Sequence, residues 1–313
     1  MHRRTSGKNA WMHLLLSDWS FDPFVVVAAV LVVLHELGLA NLRRRSAPAR
    51  TVERRRRSYA YYGGLALLVV VVSSPIDYWS ARYFFVHMIE HILIMFYASL
   101  LVVVGAPWLP YLHALPVGAR RKVLRGLLLG RATAPLRALG RLASAPWTAT
   151  VLFCVVMVAW HVPVAFDTAE TNQLVHVWLM HGSMFVAGVL FWLQIVRSYP
   201  MRPKLAPLGQ IGSILVTNLV MLFLAMALSI FASRSWYPVY AAVPHVSVSP
   251  FADQQIGAGI LWVCGDLWAL PALISILRRL RGDGTLSALV DRAFHHDATP
   301  VPQRPQPTGP AGG

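Results

Sequence analysis

The chain has 313 residues, 56% of them hydrophobic and 13% charged, with a formal net charge of +15. Soluble domains carry about 25% charged residues, so this composition excludes a disordered chain and argues against a soluble enzyme. Two cysteines exclude a disulfide scaffold. The surplus of arginine raises nucleic-acid binding as a reading, which the placement of the charges decides.

Seven segments have the length and apolarity of a membrane-spanning helix, about 20 residues. They are Phe24–Leu42, Tyr59–Ile76, Tyr83–Trp108, Trp147–Phe166, Leu174–Val196, Gly209–Ala232 and Ile256–Leu280. Their apolar residues run all round the helix, as lipid contact requires, and none alternates with the period of a barrel strand. Before the first, Trp11–Leu16 is too short for a signal-peptide core, and Asp18 and Asp22 follow at once. The expected architecture is therefore all-α, a polytopic bundle of seven transmembrane helices. Residues 1–23 form an outer or interfacial segment, 24–281 the transmembrane domain and 282–313 a disordered tail rich in Pro, Gly and polar residues.

The basic residues alternate with the loops. Arg43, Arg44, Arg45, Arg50 and Arg54 to Arg57 follow the first segment. Arg120, Arg121, Lys122, Arg125, Arg131, Arg137 and Arg141 follow the third, Arg197, Arg202 and Lys204 the fifth, and Arg278, Arg279, Arg281, Arg292 and Arg304 the last. The intervening loops hold one basic residue at most. Positive loops stay in the cytoplasm, which puts the N-terminus outside and the C-terminus inside. The charge then reads as topology and anionic-lipid contact rather than nucleic-acid binding. Val117–Leu142, with leucines among its arginines, is expected to lie as an amphipathic helix on the inner surface.

With this topology, His87, His91, His161, His176, His181 and His245 gather at the outer end, and His35 alone sits deep toward the inner side. Ionisable groups inside a bilayer are costly and are functional candidates by default. His87, Glu90 and His91 are i, i+3 and i+4, on one helix face. Met157 lies four before His161, and Met180 four after His176. His176 and His181, five apart, point about 140° from each other on an α-helix and need not share a site. Imidazole with thioether in an oxidising compartment suits copper, with Met favouring Cu(I). Glu90 and Asp253 are candidates to orient the imidazoles. Ser249 or Asp253 can cap the last helix, Gly257 and Gly259 permit close helix approach, and Pro163 can distort the helix beside His161. Cys154 and Cys264 read as packing residues, while Glu36 and Asp266 read as an ion site or cross-helix partners.

At these residues the chain resembles the CtaG family of caa-type cytochrome c oxidase assembly factors. The resemblance rests on His87–Met88–Ile89–Glu90–His91, Gly105–Ala106–Pro107, Trp160–His161–Val162–Pro163 with Phe166–Asp167, and His176 to His181 with Ala187–Gly188–Val189–Leu190–Phe191–Trp192. Tyr237–Pro238–Val239–Tyr240 and Ala252–Asp253–Gln254–Gln255 leading to Leu261–Trp262–Val263 complete it. It covers roughly residues 60–280. It implies a multi-pass protein of the bacterial inner membrane that helps oxidase subunits mature, plausibly at copper delivery. His87, His91, His161, His176 and His181 would be the metal ligands, with Glu90, Met157, Met180, Asp253 and His245 auxiliary. Where a carboxylate is expected beside the second histidine of the fifth segment, this chain has Met180, which leans toward soft ligation.

Two other readings compete. Paired histidines, His87 with His161 or His181, can ligate a haem b, and Glu36, Glu90 and Asp266 can serve ion transport. A retinal pump fails, because Lys8, Lys122 and Lys204 all lie outside the helices. No nucleophile–base arrangement marks an enzyme.

Overall fold

A computed structural model describes residues 17–44, 46–243 and 248–282, without the side chains of 264–266. The expectations for residues 1–16, His245, Cys264, Asp266 and the tail beyond Gly282 lie outside the described residues. Two compact units divide the chain, 1–272 and 273–313. The described part of the second is the C-terminal end of the last helix.

Among the described residues the chain is helical, with no sheet beyond one isolated bridge, Ser198 to Met201. Helix α1, Phe24–Arg43, packs on α2, Pro48–Ser73, and on the later segment Trp108–Ala114. A short α3, Pro75–Ser80, leads to a rod made of α4, Phe84–Ile92, a π-helical turn at Leu93–Ala98, and α5, Ser99–Gly105. Ala106, at a left-handed φ of 49°, ends the rod before Pro107. Then come α6, Trp108–Ala114, α7, Val117–Leu129, and α8, Ala134–Ala143. Next are α9, Pro146–Trp160, and α10, Pro163–Thr171. A second π turn at Val175–His181 continues into α11, Gly182–Ile195. The last are α12, Pro207–Ser229, α13, Pro238–Ala241, and α14, Pro250–Gly282.

Among the described residues, five helices are long and apolar enough to cross a membrane: Phe24–Arg43, Phe84–Gly105, Val175–Ile195, Pro207–Ser229 and Pro250–Gly282. A sixth arises if α8 and α9, bent by 83°, count as one span. The two segments that depart from the expected seven do so for physical reasons. In α2 the apolar stretch begins only after Arg57, because arginine is a good helix former and the helix runs on through the charged loop. The fourth segment is interrupted: α9 ends at Trp160, and Pro163, which cannot donate to an ongoing ladder, starts α10 with Phe166 in it. The inner amphipathic stretch is also two helices rather than one. Thr133 turns the chain by donating to Gly126 O at 2.7 Å, and no residue of α7 or α8 is buried.

Candidate metal centre

Helix α4 carries the first donors. His87, Glu90 and His91 are all buried, as the i, i+3, i+4 spacing requires of a face turned into the bundle. Tyr83, at the N-cap of α4, contributes no side-chain cap. The cap comes from another helix: the Asp253 carboxylate accepts from Phe84 N at 2.8 Å and Phe85 N at 3.0 Å. Asp253 thus holds the start of the donor helix, while Ser249 caps α14 by accepting from Ala252 N at 3.2 Å. The two helices meet closely at Gly257, where a Cβ would lie 2.5 Å from the Phe84 ring. Gly259 plays no such part, since a Cβ there would meet nothing within 4 Å.

The break after α9 places His161. Its Nδ1 donates to Met157 O at 2.6 Å, the carbonyl of the last helical turn. In the neutral ring Nε2 is then a lone-pair donor, and it faces the Met88 thioether at 3.3 Å. Met157 therefore meets this ring through its backbone, and the sulfur beside it belongs to Met88. Met180 is fully buried.

The π turn sets the next pair. A π-helical turn bonds i to i+5, so residues five apart come to stand on one side. His176 and His181, expected on different faces, approach with Nε2 atoms 3.0 Å apart. Glu170, near the end of α10, adds a carboxylate that the sequence reading missed. Its Oε1 lies 3.2 Å from His87 Nδ1 and 3.3 Å from His176 Nδ1. Burial, with the Asp77 carboxylate adding to it, pushes Glu170 up to about 8. Glu90 Oε1 lies 3.8 Å from His181 Nε2.

The result is one cluster. Ring centroids are 4.0 Å apart for His87 and His91, 5.7 Å for His91 and His181, and 5.9 Å for His91 and His161. Ligand atoms of His87, Glu90 and His176 all lie within 4.8 Å of one another. Phe84, Phe166 and Tyr237 stack beside it, with Phe166 4.7 Å from the His87 ring. Tyr237 is fixed by donating to His161 O at 3.0 Å, and Tyr240 by donating to Ser80 O at 2.8 Å. Both ring nitrogens of His87 and His91, both carboxylate oxygens of Glu90, Glu170 Oε1 and His181 Nδ1 are buried and make no hydrogen bond. Buried polar groups are normally satisfied, and each exception calls for an explanation such as an ion.

The family model described as cytochrome c oxidase caa3 assembly factor matches residues 33–282. Among curated proteins, the chain is 30% identical over 296 residues to an uncharacterized protein of Mycobacterium bovis, and equally to one of Mycobacterium tuberculosis. It is 26% identical over 291 residues to an uncharacterized protein of Mycobacterium leprae. Each match covers 90% of this chain and 42% of the relative, so the chain spans less than half the length of these relatives. No solved structure matches it.

Proposed function

Because the chain belongs to the cytochrome c oxidase caa3 assembly factor family, we propose that it serves oxidase maturation by holding copper on this cluster and passing it to an oxidase subunit. The observation that carries the reading is the set of buried nitrogen and oxygen atoms without hydrogen-bond partners, drawn from α4, α10 and the second π turn. Leaving such groups unpaired costs about 1–3 kcal/mol each, a cost that a bound cation removes. Imidazole and carboxylate suit a divalent transition ion, and the His161–Met88 pair offers a softer seat beside it for Cu(I). Glu170 supplies the carboxylate that position 180 lacks, so the lean toward purely soft ligation loses its ground. The rings pack directly against each other, which favours a bare ion over a haem slab between them.

The reading places the protein in the bacterial plasma membrane, crossing seven times, with the apolar half of α2 and the broken α9 as the remaining crossings. The arginine-rich loops face the cytoplasm and the cluster faces outward, where a donor or acceptor of copper can reach it. The role is one of binding and transfer, without catalysis.

Protein purified from copper-replete membranes is expected to carry about one copper per chain. His87→Ala with His176→Ala is expected to abolish it, since removing a single ligand-supporting group already costs about 10–100-fold. Elemental analysis at background for the wild-type protein overturns the proposal.

A further inference from the structure

The arginine-bearing ends of α1 and α2 enclose a second feature, an open cavity of about 820 Å³. Arg43, Arg44, Arg54 and Arg55 line it, with Leu39 and Leu42 on the α1 side. The acid among its lining residues is Glu36, and that carboxylate is already engaged. It accepts from Arg55 Nη1 at 2.5 Å and from the Tyr62 hydroxyl at 2.5 Å. Arg54 donates to Ser46 Oγ at 2.7 Å, a neutral partner. Arg43 and Arg44 form no ion pair among the described residues. Among the described residues, Arg43, Arg44 and Arg54 therefore line one cavity without forming an ion pair. The first turn of α2 joins the same wall through Pro48 and Thr51, and its N-cap residue Ala47 provides no side-chain cap.

We propose that this cavity binds the phosphate headgroup of an anionic phospholipid. Guanidinium forks match phosphate oxygens bidentately, and basic pockets between membrane helices recognise such headgroups. What favours a lipid over a free phosphate is the surface that leads away from the cavity. Helix α1 exposes Val26, Val30, Val33, Leu34 and Leu37 along its length, an apolar track for acyl chains below a headgroup seated among Arg43, Arg44 and Arg54. The position next to Glu36 gives the lipid a structural consequence, because the headgroup would lock together the two helices that Arg55 and Glu36 already clip.

The test titrates the purified full chain in neutral detergent with cardiolipin, phosphatidylglycerol, phosphatidylcholine and inorganic phosphate, reading bound lipid by native mass spectrometry. Cardiolipin and phosphatidylglycerol are expected to bind, and phosphatidylcholine to bind at least about tenfold more weakly. Arg43→Gln with Arg44→Gln is expected to weaken cardiolipin at least about tenfold. The same charge change on α7, Arg120→Gln with Arg121→Gln, is expected to leave it in place. Equal losses in both variants, or no loss in the first, overturn the site. Displacement of the lipid by inorganic phosphate at equal concentration overturns the lipid as occupant. Should the glutamine pair fail to fold, Arg43→Lys with Arg44→Lys takes its place. It keeps the charge and loses the forks, so a smaller fall supports the site and an unchanged affinity overturns it.

Discussion

Two clusters of ionisable groups in this protein are built from similar residues and differ in how their polar atoms are satisfied. Around His35, Nδ1 bonds the Tyr62 hydroxyl at 2.9 Å, Tyr62 donates to Glu36, and Arg55 donates to the same oxygen. Tyr61 and Tyr111 pair beside them through their hydroxyls. Each link of that chain has a partner inside the protein. Around His87 the donors stand as close together, yet most of their polar atoms make no hydrogen bond. The first arrangement stabilises its helices by itself, whereas the second is complete only with a guest. Proximity of histidine and carboxylate therefore says little about function until the hydrogen bonds are counted.

That contrast predicts opposite signs for mutation in the two places. A buried polar group without hydrogen bonds costs about 1–3 kcal/mol, and replacing it with an apolar residue of similar volume removes that cost. Glu90→Leu is accordingly expected to raise the unfolding midpoint of the metal-free protein while lowering its copper content. Tyr62→Phe is expected to destabilise by about 1–3 kcal/mol, because it strands the buried His35 ring nitrogen while Glu36 keeps Arg55. Thermal or denaturant unfolding in detergent reads both, and equal signs would erase the distinction. A smaller effect falls on Asp253. Asp253→Ala removes the cap of α4 at a cost of about 0.5–2 kcal/mol and is expected to weaken copper binding by displacing His87 and His91. Asp253→Asn keeps one of the two acceptors and is expected to restore part of the stability and binding lost in Asp253→Ala, which a purely electrostatic role would not allow.

The smallest effect concerns Asp77, next to the cluster on α3. Burial, and secondarily the Asp22 carboxylate, raise it from 3.8 to about 6. An acid whose folded value lies above its unfolded one favours folding fully at low pH. It loses that contribution as pH rises from about 4 through about 6. Asp77→Asn is thus expected to leave stability near pH 4 little changed and to raise it above pH 6. Unfolding midpoints at pH 4, 6 and 8 check the trend.

The sequence carried the helical membrane class and the grouping of His87, Glu90 and His91, because both rest on periodicities that hold in any α-helix. What it concealed depended on departures from that period. His176 and His181 were separated by an α-helical angle that a π turn removes. Glu170 was missed because it sits in α10, outside every apolar segment in which costly charges were sought. A search for acids in the connections on the histidine side would have found it beside Asp167. Asp253 was read as a cap of its own helix or an auxiliary of the histidines, whereas its carboxylate caps α4, a contact between residues 169 positions apart that no local motif reveals.

The π turn at Val175–His181 has one more consequence. A straight α-helix has a single phase, so every face along it is tied to every other. Beyond the turn, α11 must seat Gly188 against the first rod, where a Cβ would come within 2.2 Å of Met95 O, and must send the Trp192 indole N–H to Phe96 O at 2.9 Å. At the start of the turn, the same helix must bring His176 to Glu170. The residue taken up by the turn lets these two demands be met independently: selection can retune the donor end without disturbing the seam that holds the bundle.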